Sequence, residues 1–166
     1  MNQWEAMEQR HSVRAYEPRP IDTKAREQLE ALIAQCNAES GLHMQLITDE
    51  PLAFTGMKAH YGTFSGVRHY IAVVGQKGKE VSEICGYYGE KVVLFAQQLG
   101  LNTCWVGLTY NRKKAAVSIL DGEKLYLVIA VGYGKTQGVA HRSKTKEAVT
   151  QTDGAVPCLL YTSRCV

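Results

Sequence analysis

Apolar positions recur along the chain in two rhythms. From Asp22, a residue suited to capping a first turn, the segment DTKAREQLEALIAQC sets Ala25, Leu29, Leu32, Ile33 and Cys36 three or four residues apart. That spacing predicts one face of a helix, and Gly41 closes the turn after it. A second stretch, SEICGYYGEKVVLFAQQLG, opens at Ser82 and carries Ile84, Tyr88, Val92, Phe95 and Leu99 as one stripe, with Gly100 where a helix stops. Gly86 and Gly89 fall inside its first turns. Each costs about 1 kcal/mol relative to alanine in a helix interior, which predicts close approach of another group to that backbone. Residues 2–9 add a short helical piece with Trp4 and Met7 on one side.

The other rhythm belongs to strands. HYIAVVG (69–75) is an unbroken apolar run ended by glycine, as in a strand covered on both faces. KLYLVIAVGYG (124–134) has the same character and is the best candidate for a central strand. HMQLIT (43–48) alternates and reads as a further strand. Asp49 to Arg68 reads as loop, LNTCWVGLTY (101–110) as apolar and irregular, and NRKKAAVSIL (111–120) as a short capped helix. Helices and strands follow one another without a regular βαβ beat, which predicts an α+β layer fold rather than a doubly wound sheet.

Composition narrows the function classes. The chain has 166 residues, 45% hydrophobic and 21% charged, which suits one folded domain with a real core. No apolar run approaches the roughly 18 residues of a membrane span, and MNQWEAMEQRH lacks the plan of a signal peptide. A cytoplasmic protein that does not engage a membrane is the expectation. A net charge of +3, with basic residues spread among acidic ones, gives little reason to expect nucleic acid as a partner. Cys36, Cys85, Cys104, Cys158 and Cys165 stand far apart without histidine at ligand spacing, so reduced thiols and no metal are expected.

Familiar catalytic signatures are missing. GYGKT (132–136) is not a phosphate-binding P-loop, because Ile129 stands where the first glycine is required. It is not a dinucleotide fingerprint either, because Gln137 takes the third glycine position. The histidines are scattered and no G-x-S-x-G elbow occurs, so nucleophilic hydrolysis has no local support. One short stretch stands apart. RHSVRAY (10–16) places Arg10, Ser12 and Arg14 together, residue types suited to a dianion through forked guanidinium donors and a hydroxyl. A solvated turn would read the same. His141, Arg142 and Lys144 form a second cationic group that could meet the same ligand.

Four ordered segments together resemble the FMN-dependent nitroreductase family: RHSVRAYEPRPI, GTFSGVRHYIAVVG, GYYGEKVVLFAQQLGLNTCWVGLTY, and VIAVGYG followed by HRSK. The resemblance implies an α+β fold with a central, mainly antiparallel sheet flanked by helices, and an intertwined homodimer with FMN at the interface. It assigns Arg10, Ser12 and Arg14, with His11 beside them, to the FMN phosphate and neighbouring hydroxyls. Arg142 and Lys144 would close on the same phosphate, and Ser65, Gly66 and Val67 would pass beside the flavin ring. Trp105, Val106, Gly107 and Leu108 would form the loop whose backbone N–H groups face the ring edge, Gly107 nearest the reactive nitrogen. The implied reaction carries hydride from NADH or NADPH through FMN to an electron-poor small molecule such as a nitroaromatic or quinone, with the chemistry residing in the cofactor.

The sequence departs from that pattern twice. His11 stands where the family often has arginine, and from about Val149 the likeness fades. Residues 1–149 are therefore expected to form the FMN-binding domain and 150–166 a truncated or foreign tail, a native tail that packs on a partner being the alternative. Two other activities remain open: a flavin- or anion-binding module without turnover, and another flavin chemistry on this fold, such as dehalogenation or flavin destruction.

Overall fold

The computed structural model describes residues 1–56, 61–140 and 144–149. Arg142 and the tail from 150 to 166, both subjects of sequence expectations, lie outside the described residues. The order is α1 (Gln3–Gln9), α2 (Thr23–Ser40), β1 (Gln45–Ile47), a short 3-10 turn (Leu52–Phe54), β2 (His69–Gln76), α3 (Val81–Gln98), β3 (Asn102–Val106), β4 (Glu123–Gly132) and α4 (Lys146–Val149). The strands form one sheet in the order β1-β2-β4-β3, each neighbouring pair antiparallel. This is the expected α+β class, with β2 and β4 at its centre. No helix among the described residues is long and apolar enough to cross a membrane.

Strand alternation sends side chains to two cores. Ile71, Val73, Ile129 and Val131 meet Leu29, Ile33, Cys36, Val92 and Ala96 under α2 and α3. Tyr70, Ala72, Val74, Val128 and Ala130 meet Val13, Tyr16, Ala53, Val67 and Tyr110 on the opposite face. That second face is covered largely by loops. A bulge between Val73 and Val74 gives β4 one extra residue, which lets Tyr126 and Leu127 both pack toward the helical side.

The buried face of α2 is the predicted one: Ala25, Leu29, Ile33 and Cys36 are buried. Leu29 has no exposure, and its burial is worth about 1.5–3 kcal/mol. Gly41 ends the helix in the left-handed region at φ 71°, a conformation that favours glycine. Around α3 the burial is wider than one stripe, since Leu94 and Gln97 are buried besides Cys85, Gly89, Val92, Val93 and Ala96. The added cover is α1, which packs along α3 and buries Ala6. Helix α1 is short but firmly begun: Asn2 and Glu5 exchange backbone-to-side-chain hydrogen bonds of 2.9 Å each, a capping box.

Two expectations are corrected. The irregular stretch 101–110 contains β3, whose opening Asn102 and Thr103 are polar yet buried, so the hydropathy pattern hid a strand. The helix expected over 111–120 is absent from the element order. The Asn111 side chain instead accepts from the Lys113 N–H at 3.2 Å. Farther along, Gln45 holds both the N–H and the carbonyl of Ser118 at 3.0 and 2.7 Å, and the Ala116 N–H donates to the Tyr70 hydroxyl at 2.9 Å. These bonds from distant elements draw the segment along the sheet and override its local helical preference.

Candidate functional site

The RHSVRAY segment leaves α1 at Arg10, the C-cap residue, and turns extended. It is neither helix nor free turn. Val13 donates its N–H to the Thr103 carbonyl at 3.1 Å, Ser65 donates to the Arg14 carbonyl at 3.0 Å, and Tyr16 donates to the Ser65 carbonyl at 2.9 Å. On the side of β4's exit, Glu17 donates to the Tyr133 carbonyl at 2.8 Å and Lys135 to the Ala15 carbonyl at 2.9 Å. Val13 and Tyr16 are buried while Ser12 and Arg14 are exposed. The main chain of residues 13–17 is thus stitched down, with the Ser12 and Arg14 side chains left facing outward.

Glycines make these approaches close. Gly66 has φ +70°, and a Cβ there would strike the Tyr16 carbonyl oxygen. A Cβ on Gly138 would stand 2.6 Å from the Cβ of His11 and 3.1 Å from the Ser12 carbonyl oxygen. The chain beyond β4 therefore passes directly along His11 and Ser12 before reaching the late basic residues. Its turn is held by Asn102, whose Oδ1 accepts from the Gly134 N–H and whose Nδ2 donates to Gln137, both at 3.0 Å.

The remaining segments join from the other side. The Arg14 guanidinium lies 5.9 Å from the centroid of the Phe64 ring, a cation–π arrangement. Phe64 and Thr109 both crowd Gly62, at 2.8 and 2.7 Å from where its Cβ would stand, which brings the Ser65–Val67 stretch beside the loop that follows β3. Gly107 is exposed in open space, and Leu108 is 86% exposed. Because the Thr103 carbonyl points to Val13, the main chain of Trp105, two residues on, shares that outward edge of β3.

At the surface, Ser12, Arg14, Ser65, Gly66, Gly107 and Leu108 are exposed and Arg10 and His11 half-buried. Val67 and Val106 are buried in the core of the loop-covered face, so their side chains support that surface without forming it. Lys144 is described and exposed.

Trp105 is expected to act through its main chain, and its side chain points elsewhere. Its side chain packs with the helical core, a Cβ on Gly89 would strike its ring, and its indole N–H donates to Glu90 at 3.1 Å. The price in helix propensity noted for Gly89 is accounted for by this ring. Gly86 has nothing within 4 Å of where a Cβ would stand. Glu90, which sequence reasoning passed over, also meets Arg10, Oε1 lying 3.5 Å from Nε. Phe64 and Asn102 were likewise missed.

The residues fit a phosphate-bearing group. The Arg10 side chain is 25% exposed, yet its Nη1 is buried without a hydrogen-bond partner among the described residues. A buried donor left without an acceptor is costly, on the order of 1–3 kcal/mol and more when charged, and a phosphate oxygen would satisfy it. Burial, with Cys104 beside it, pushes the Tyr16 phenol well above its ordinary range, so Tyr16 serves as a neutral pillar, its hydroxyl 3.4 Å from the Ala130 carbonyl oxygen.

Comparison with known proteins agrees with this geometry. A family profile described as "Putative TM nitroreductase" matches residues 2–158. No curated protein matches the sequence. Among solved structures, a putative nitroreductase in complex with FMN from Desulfovibrio desulfuricans superposes with a TM-score of 0.68 at 18% identity, covering 93% of this chain and 99% of that one. A putative NADH dehydrogenase/NAD(P)H nitroreductase from Parabacteroides distasonis gives 0.67 at 19%, covering 93% and 100%. A nitroreductase with bound FMN from Bacteroides fragilis gives 0.64 at 20%, again over 93% and 100%. At such identities the likeness establishes the shared fold.

Proposed function

The chain belongs to this nitroreductase family, and from that premise we propose that it is an FMN-dependent oxidoreductase that works as a homodimer and draws its electrons from NADH or NADPH. Similar structures described with FMN bound support the cofactor. The observation that supports the reading is a buried Arg10 Nη1 with no hydrogen-bond partner among the described residues, on a segment whose neighbours are fastened to Thr103, Ser65 and the chain after β4. A bound flavin would supply the redox chemistry between the nicotinamide donor and an electron-poor acceptor such as a nitroaromatic or quinone.

The chain's own residues bind and orient. Arg10 and Arg14 carry positive charge to the phosphate, with the Ser12 hydroxyl as a further donor and Arg142 and Lys144 as closing cations. Arg10 gives charge-assisted bonds roughly twice as strong as neutral ones. Gly66 lets the backbone of the 65–67 stretch lie against Tyr16, and that stretch would hold the ring. Gly107, exposed and free of a side chain, would offer its main-chain N–H to the flavin.

The test is NAD(P)H consumption by the FMN-loaded protein with and without an added quinone or nitroaromatic. The reading expects consumption that requires both FMN and acceptor, with parallel double-reciprocal lines as the two substrates are varied. A protein that holds flavin but neither reduces nor reoxidises it would be a binding module instead.

A further inference from the structure

Glu90 touches both the N-terminal arginine of the site and the strand that leads to Gly107. Its Oε1 lies 3.5 Å from Arg10 Nε, and its Oε2 accepts the Trp105 indole N–H at 3.1 Å. It stands on α3 directly after Gly89, the residue whose missing Cβ admits the Trp105 ring. The Arg10 nitrogen that Glu90 engages is Nε; the one buried without a partner is Nη1. Because the guanidinium is planar and rigid, fixing Nε fixes the direction in which Nη1 points.

We propose that Glu90 is a positioning residue: it holds Arg10 with Nη1 presented to the flavin phosphate, and ties that orientation to Trp105 and the β3 edge. The proposal rests on the FMN reading given above. Two opposing effects decide its sign. A free arginine side chain must be ordered when the phosphate binds, and pre-ordering removes that cost. Against this, a carboxylate near a phosphate repels it, but Glu90 is 42% exposed and both its oxygens already face donors, so the repulsion is screened by water. Pre-ordering wins, and loss of Glu90 should weaken FMN binding by about two- to tenfold.

The experiment measures FMN and riboflavin dissociation constants by fluorescence titration of the flavin-free full chain, for the parent, Glu90→Gln, Arg10→Ala and the double variant. Glutamine keeps an oxygen for the Trp105 N–H, so unchanged tryptophan emission reports an undisturbed β3 edge. The expected result is that Glu90→Gln weakens FMN and leaves riboflavin alone, and that it brings no further loss in the Arg10→Ala background. Equal weakening of both flavins would mean general damage to the site and would overturn the proposal. So would unchanged or tighter FMN binding in Glu90→Gln, with Arg10→Ala still weakened. If Arg10→Ala itself binds FMN as the parent does, the phosphate assignment fails and the role of Glu90 fails with it.

Discussion

Replacing Gly66 by alanine probes the seam on which the whole site depends. Gly66 sits at φ +70° with the Tyr16 carbonyl oxygen where its Cβ would be. The left-handed backbone alone costs a non-glycine residue about 1–2 kcal/mol. The clash falls on backbone, so the 65–67 stretch must move away from the 14–16 stretch. That displaces the Ser65 N–H from the Arg14 carbonyl and the Tyr16 N–H from the Ser65 carbonyl, bonds of 3.0 and 2.9 Å, each worth about 0.5–1.5 kcal/mol. The expected total is about 2–5 kcal/mol. Gly41 provides the matched control: its φ is +71°, and nothing lies within 4 Å of where its Cβ would stand. Gly41→Ala should therefore cost only the conformational part, about 1–2 kcal/mol. Urea unfolding of both variants without flavin and at one protein concentration gives the comparison. If Gly66→Ala is no more destabilised than Gly41→Ala, the close seam between residues 14–16 and 65–66 is wrong.

Further outcomes follow from the same geometry. In α3, Gly86→Ala should raise the unfolding temperature, gaining up to about 1 kcal/mol from helix propensity. Gly89→Ala should lower it, because displacing the Trp105 ring costs about 1–3 kcal/mol and outweighs the same gain; thermal scans that rank the two the other way would refute the packing described. Glu123 accepts from His43 at 3.0 Å and from the Leu120 N–H at 2.9 Å, and these bonds, the His43 one first, hold its carboxyl below the ordinary carboxylate range. A depressed folded value stabilises above the unfolded value and is lost as pH falls through the folded one. Glu123→Gln should accordingly be less stable than the parent at neutral pH and converge with it as pH falls below the ordinary carboxylate range, as read from urea midpoints from neutral to acid pH; a gap that stays constant would remove Glu123 from the linkage.

The elements that were legible share one property: their burial is decided locally. Helix α2 declares its face through Leu29, Ile33 and Cys36, and β2 and β4 are read from apolar runs too short for anything but covered strands. β3 was hidden because Asn102 and Thr103 are buried for tertiary reasons, Asn102 to pin the Gly134 turn and Thr103 to accept from Val13. The segment after Asn111 resembled a helix until Gln45 and Tyr70 took its backbone groups.

The site divides in the same way. RHSVRAY could be singled out by residue type, yet a phosphate clamp and a solvated turn have the same composition; contact with Thr103, Ser65 and Lys135 excludes the free turn. Glu90 left no local signal, since its partners Arg10 and Trp105 lie on other elements. The glycine cost in α3 did point toward it, and only one of its two glycines proved to be crowded.

Titration of the flavin-free protein with FMN and with riboflavin tests the central claim most directly, because the two ligands differ by the phosphate alone. The account predicts about one FMN per chain, bound at least roughly tenfold more tightly than riboflavin, since one charge-assisted bond is worth about 1.5–3 kcal/mol. Equal affinity for the two flavins, or no binding of either, would contradict it.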